Sequence, residues 1–128
     1  MSDKILTLKL LKGSYGVCRL DNTETIPKWA KESDFFSITK TSDELSIVCA
    51  EEYIPSEIQC EKNWRILKVQ GPLDFSLIGI LSSINTILAQ NGISIFAIST
   101  YDTDYILVKA KDIDNAIESL TKERYEVI

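Results

Sequence analysis

The chain has 128 residues, 45 % of them apolar and 26 % charged, with a net charge of −5 and no histidine. That length suits one domain or two very small ones, buries about 65–70 % of the surface exposed on unfolding, and requires no metal or disulfide staple. The charge disfavours nucleic acid and anionic membrane surfaces as partners, and the missing imidazole excludes Ser-His-Asp and Cys-His nucleophiles, His-ligated metals and a histidine switch.

Residues 5–11 alternate around Thr7 and Lys9 and predict a first strand. Gly13 and Gly16 bracket a turn, after which 17–20 can resume extended structure. Pro27, followed by Trp29 and Ala30, predicts a short helical turn over 26–32. Two β-rich runs follow, 35–39 and 44–50, joined by a hairpin signal at Thr41, Ser42 and Asp43. Residues 51–62 are polar, contain Pro55 and read as a loop with one helical turn; the Glu51-Glu52 pair reads as a surface charge run. Trp29 and Trp64 are expected in the core or at an interface.

A strand at 64–70 ends on Gly71-Pro72. From 75 to 90 the spacing becomes helical: Leu77, Ile80, Leu81, Ile84, Ile87 and Leu88 form one stripe, and Asn91-Gly92 supplies the stop. Asp74 or Ser76 would cap this helix, and Gly79 inside it would cost about 1 kcal/mol against Ala while allowing close packing. Residues 93–108 read as two strands hinged at 101–103. Asp112 then caps a last helix with Ile113, Ala116, Ile117 and Leu120 inward, and 125–128 can add an edge strand. The second half is therefore strand, helix, strand, strand, helix, strand. This is an α+β, ferredoxin-like order with helices on one face of an antiparallel sheet. The first half repeats that rhythm with shrunken helices, and the two units share or abut at the strand 64–70.

Cys18, Cys49 and Cys60 form an odd set without CxxC spacing and read as free thiols of a reducing cytosol. The opening MSDKILTLKLLKGS is too short and too interrupted by Lys for a signal peptide, and no apolar stretch is long enough to span a bilayer. A cytoplasmic protein is expected, with no membrane or nucleic-acid partner, no metal and no cofactor.

The candidate site lies where burial gives way to hydrogen-bonding groups, at Ser99, Thr100, Tyr101, Asp102, Thr103 and Asp104. Gly71 lets backbone come close to a ligand, and amides near 73–76, in a helix's first turn, are natural donors to a carboxylate. Asp74 or Asp104 can accept from an ammonium or guanidinium. Each has a plainer reading, Asp74 as a helix cap and the Asp102/Asp104 pair as a solvated hairpin. Tyr101 and Tyr105 read more readily as wall residues or sheet cover than as ligand contacts.

Three stretches, LKVQGPLDF at 67–75, IGIL at 78–81 and GISIFAISTYDTDYILV at 92–108, resemble the ACT domain family. The resemblance is to its stand-alone double-ACT branch, related to the regulatory tail of aspartokinases and to the CASTOR arginine sensors. It is strong over 64–122 and weaker over 1–63, where AEEYIP at 50–55 is its best part. It implies tandem βαββαβ units, a degenerate one at 1–63 and a second at 64–128, and a non-catalytic amino-acid sensor acting as a homodimer with ligand between ACT pairs. The implied site comprises Gly71, Leu73, Asp74 and Phe75 with Ser99, Thr100, Tyr101 and Asp104. Of these, Gly71, Asp74, Thr100, Tyr101 and Asp104 resemble arginine-contacting positions of the sensors. Asp74 stands where those sensors have a longer carboxylate. An acidic pocket leans towards a cationic amino acid, although one carboxylate on the α-ammonium explains the same residues.

Two other functions compete. A scaffold that kept the fold and lost the ligand would have Phe75 or Tyr101 turned into the pocket. An enzyme would need Asp74 and Asp104 as an acid–base pair, but no activated nucleophile, phosphate loop or metal cluster accompanies them.

Overall fold

The computed structural model describes residues 6–70 and 79–128. Strand β1 (Leu6–Leu10) belongs to one compact unit with the chain from Arg65 onward, and Gly13–Trp64 form a unit of their own.

The Gly13–Trp64 unit is built mainly of short strands. Strand β2 (Tyr15–Leu20) is followed by a short 3-10 helix at Lys28–Glu32, then β3 (Ser37–Lys40) and β4 (Leu45–Ala50). A 3-10 turn at Glu51–Tyr53 leads to the beginning of β5 (Cys60–Val69). The order is β3-β4-β2-β5, every pair antiparallel. The hairpin predicted at Thr41–Asp43 forms because Thr41 Oγ1 accepts the amide hydrogens of Asp43 and Glu44, each at 3.1 Å. Cys18, Ala30, Leu45, Ile47, Cys49 and Ile54 make the core, with Trp29 and Cys60 against it.

Strand β5 starts four residues before the predicted Trp64. Its early part carries a β-bulge, seen as a register shift between Tyr15, opposite Trp64, and Val17, opposite Glu61. Within it Asn63 adopts a left-handed φ of 68°, and its amide donates to Glu51 Oε2 at 3.1 Å. Glu51 thus fastens the bulge, whereas Glu52 is exposed as expected.

The second unit has the predicted βαββαβ order. It runs through β5, α1 (Ile80–Gln90), β6 (Ile95–Ser99), β7 (Asp104–Lys109), α2 (Ile113–Lys122) and β8 (Tyr125–Val127). Strand β1 is inserted between β5 and β8, giving β6-β7-β5-β1-β8. It runs antiparallel to β5 and parallel to β8, so the expected antiparallel sheet has one parallel pair. Strand β8 returns from α2 opposite in direction to β5, and a strand lying antiparallel beside β5 is necessarily parallel to β8.

Both helices turn the predicted stripes onto this sheet. Ile80, Ile84 and Leu88 of α1, with Ile113, Ala116 and Leu120 of α2, pack on Leu8, Leu67, Val69, Ile106 and Val108. Tyr125 is buried among them and donates its hydroxyl to Ser83 Oγ at 2.9 Å, tying β8 to α1. Asp112 occupies the cap position of α2 but makes no side-chain cap bond.

Gly79 corrects one expectation. It does not sit in the helix interior but is the residue before α1, with φ +84°. A Cβ there would meet nothing within 4 Å in this chain, so Gly79 supplies a left-handed backbone and not close packing against the sheet. The predicted caps Asp74 and Ser76 lie outside the described residues. We expect Gly79→Ala to lose about 1–2 kcal/mol in urea unfolding and Gly79→Asn to lose less. Equal stability of Gly79→Ala and the parent would show that no left-handed conformation is needed there.

Candidate functional site

The predicted hinge is a four-residue connection closing the β6–β7 hairpin, whose register runs from Ile95 opposite Val108 to Ser99 opposite Asp104. The Thr100 amide donates to the Thr103 carbonyl at 2.8 Å, and the Thr100 hydroxyl donates to the same oxygen at 3.0 Å. The Thr103 amide in turn donates to Thr100 Oγ1 at 3.3 Å. The turn is therefore closed by its own backbone and one threonine side chain, a local exchange that suits Thr in turns.

At the base of this turn the Ser99 hydroxyl donates to Asp104 Oδ1 at 2.5 Å. Asp104 is half-buried, so the bond both orients the carboxylate and leaves lone pairs for another donor. Ser99 and Thr100 are exposed, and Tyr101, at the tip, is fully exposed. Asp102 is also exposed, in keeping with its reading as solvated hairpin.

Thr103 belongs to the polar run read from the sequence, but nothing there assigns it a role of its own. It is buried, and its hydroxyl donates to the Val69 carbonyl at 2.6 Å. Val69 is the last residue of β5, and the next amide, Gln70, donates to the Thr7 carbonyl at 2.9 Å. The hairpin tip is thereby fixed to the end of β5, the strand that leads into 71–75. A threonine in a polar hairpin carries no mark of burial; only the pairing of β7 with β5 puts it under cover. Of the predicted site, Ser99, Thr100, Tyr101 and Asp104 are brought together in this hairpin. Gly71, Leu73, Asp74 and Phe75 lie outside the described residues.

What this half of the site can do follows from its groups. It offers a carboxylate and hydroxyl oxygens, which suit an ammonium or guanidinium donor. Among the described residues no three His, Cys, Asp or Glu side chains form a metal-holding group. A groove of about 460 Å³ lies elsewhere, between α1 and α2, lined by residues such as Gln90, Asn115 and Glu118. The Glu118–Lys122 ion pair there spans 3.1 Å, and both side chains are exposed. An exposed pair of this kind adds little stability, and the groove is a polar helix surface open to solvent.

Comparison with known proteins decides the family. A profile of the ACT domain matches residues 59–122, and a profile of an N-terminal domain matches residues 13–57. The chain belongs to the ACT domain family. A crystal structure of an Agobacterium tumefaciens protein is 41 % identical to it, superposes with a TM-score of 0.92, and aligns over 96 % of this chain and 92 % of that one. The cytosolic arginine sensor for mTORC1 subunit 1 of Bos taurus is 32 % identical over 70 % of this chain. This chain spans only 30 % of that sensor's length. The regulatory subunit of aspartate kinase from Thermus thermophilus shares the fold, with a TM-score of 0.60 at 12 % identity over 93 % of this chain and 98 % of that one. In the ACT domain, among the described residues, no helix is long and apolar enough to cross a membrane.

The Thr103–Val69 bond is the tie to test. Thr103→Val removes this donor to the Val69 carbonyl, at an expected loss of about 0.5–1.5 kcal/mol, whereas Thr103→Ser keeps most of the stability. Hydrogen exchange should quicken at the amides of β6 and β7 in Thr103→Val. Unchanged protection would mean that the hairpin is held without this bond.

Proposed function

We propose that this ACT protein is a non-catalytic, cytoplasmic sensor of a free amino acid. It binds through Gly71, Leu73, Asp74 and Phe75 together with Ser99, Thr100, Tyr101 and Asp104, at an interface between ACT pairs of a homodimer. The observation that carries the reading is the half-buried Asp104 carboxylate, oriented by Ser99 on a hairpin that Thr103 fixes to the end of β5. Similarity to a cytosolic arginine sensor supports an amino-acid ligand. The Asp104 carboxylate, joined in the proposed set by Asp74, leans towards a cationic one. Ligand held between protomers stabilises the dimer by mass action, which gives a regulatory output without catalysis.

The scaffold alternative draws its support from a pocket blocked by an inward aromatic. Tyr101 points to solvent and does not supply that block.

Thermal unfolding against each of the twenty amino acids at millimolar concentration tests the reading. A ligand present at a hundred times its dissociation constant adds about 2.7 kcal/mol, a rise of several degrees for a chain of this size. One saturable shift, strongest with a cationic amino acid, is the expected result; a flat panel would favour the scaffold. Asp104→Ala should abolish that shift. Its own melting temperature should fall only slightly, because the Ser99 hydroxyl it releases is exposed and turns to water. Severe unfolding of Asp104→Ala would make Asp104 structural instead.

A further inference from the structure

Three thiols converge in the Gly13–Trp64 unit. Cys18 on β2 lies directly opposite Cys60 on β5. The Arg19 amide donates to the Gln59 carbonyl at 3.0 Å. A bond between the residues that flank the pair in this way makes Cys18 and Cys60 a non-hydrogen-bonded pair of the antiparallel ladder. In such pairs the Cα atoms stand about 4.5 Å apart and the side chains approach most closely. That separation lies within the range a disulfide requires. Gly16 provides the room: a Cβ on it would come within 2.6 Å of Cys60 Sγ, so only glycine lets that sulfur rest on β2 beside Cys18.

Cys49 is excluded as the partner by strand geometry. It lies on β4, opposite Gly16, two strands away from Cys60. Two strand spacings amount to about 9.5 Å, beyond the reach of a disulfide. Relative to Cys18 it is a diagonal neighbour, at about 7–8 Å. Exposure separates the roles further. Cys18 and Cys49 are buried, whereas Cys60 is half-buried and is the thiol that a small oxidant can meet. Burial, then the neighbouring Cys60 thiol, pushes the Cys18 thiol up; burial pushes Cys49 up to about 11. Both therefore stay protonated at neutral pH.

We infer that Cys18 and Cys60 are a redox modification site, closing to a cross-strand disulfide on exposure to a peroxide. The Cys60 sulfur attacks one peroxide oxygen, the O–O bond breaks, and a sulfenic acid and one water result. The Cys18 sulfur then attacks the Cys60 sulfur; the S–S bond forms, the S–O bond breaks, and a second water carries away the hydroxyl and the Cys18 proton. Two thiols are oxidised by two electrons and one peroxide is reduced to two waters. A dithiol reverses the change by exchange. The product clamps β2 to the early part of β5, across the bulge from Glu51.

Treating the reduced full-length chain with hydrogen peroxide, alkylating the remaining thiols under denaturing conditions and mapping peptides without reduction tests this. The expected map joins the Cys18 and Cys60 peptides, leaves Cys49 alkylated, shows an intact mass lower by two hydrogens, and reverts with dithiothreitol. Cys49→Ala should form the same crosslink, and Cys18→Ser should leave Cys60 as a sulfinic or sulfonic acid. Over-oxidised Cys60 without a crosslink in the parent, a link to Cys49, or a Cys60–Cys60 dimer would each overturn the inference. The parent map decides even if Cys18→Ser does not fold.

Discussion

The register of β5 is the constraint on which both units depend. Its first residues pair with β2 and its last with β1, and a slip of one residue on either side would turn every side chain to the opposite face. Leu67 and Val69 would leave the core of the second unit, and Cys60 would leave the core of the first. The bulge at Asn63 lies within the pairing of β5 with β2, between Tyr15 opposite Trp64 and Val17 opposite Glu61. It adds one residue to β5 there, and the Glu51 carboxylate accepts the Asn63 amide.

The candidate site inherits its position from the same strand. Because β7 pairs with β5, the β6–β7 hairpin arrives at the end of β5, where Thr103 finds the Val69 carbonyl. Nothing in the hairpin alone would hold Asp104 at that place. Its turn is closed locally by Thr100, and local closure sets shape but not location. A ligand that bridges this hairpin and the segment after β5 would add to a tie that already exists, which favours binding by a preformed half-site.

The thiol pair uses the opposite end of β5. There the non-hydrogen-bonded position and the glycine on the neighbouring strand bring two sulfurs together that are 42 positions apart in sequence. Their setting differs from that of the hairpin in kind. The hairpin offers exposed oxygens to a polar ligand, whereas the thiols sit against an apolar core and answer to oxidation.

Local patterns carried most of the fold. The alternation in 5–11, the stripe through Ile84 and Leu88, and the stripe through Ile113 and Leu120 each report which face of an element is apolar. That requirement is imposed residue by residue, so a short window suffices to read it. The α+β class and the ACT family followed, and Ser99 to Asp104 stood out because polar groups interrupt an apolar run. Other features belong to pairing between distant segments. The insertion of β1 beside β8, the start of β5 at Cys60, the burial of Thr103 and the facing of Cys18 with Cys60 all depend on which strands become neighbours. Gly79 shows the same limit at close range, since a helical period passes through it unchanged while the backbone turns left-handed. Sequence by itself determined what each element would bury; only the tertiary structure decided what each would lie against, because strand partners are selected by the free energy of the whole packed sheet and not by any one segment.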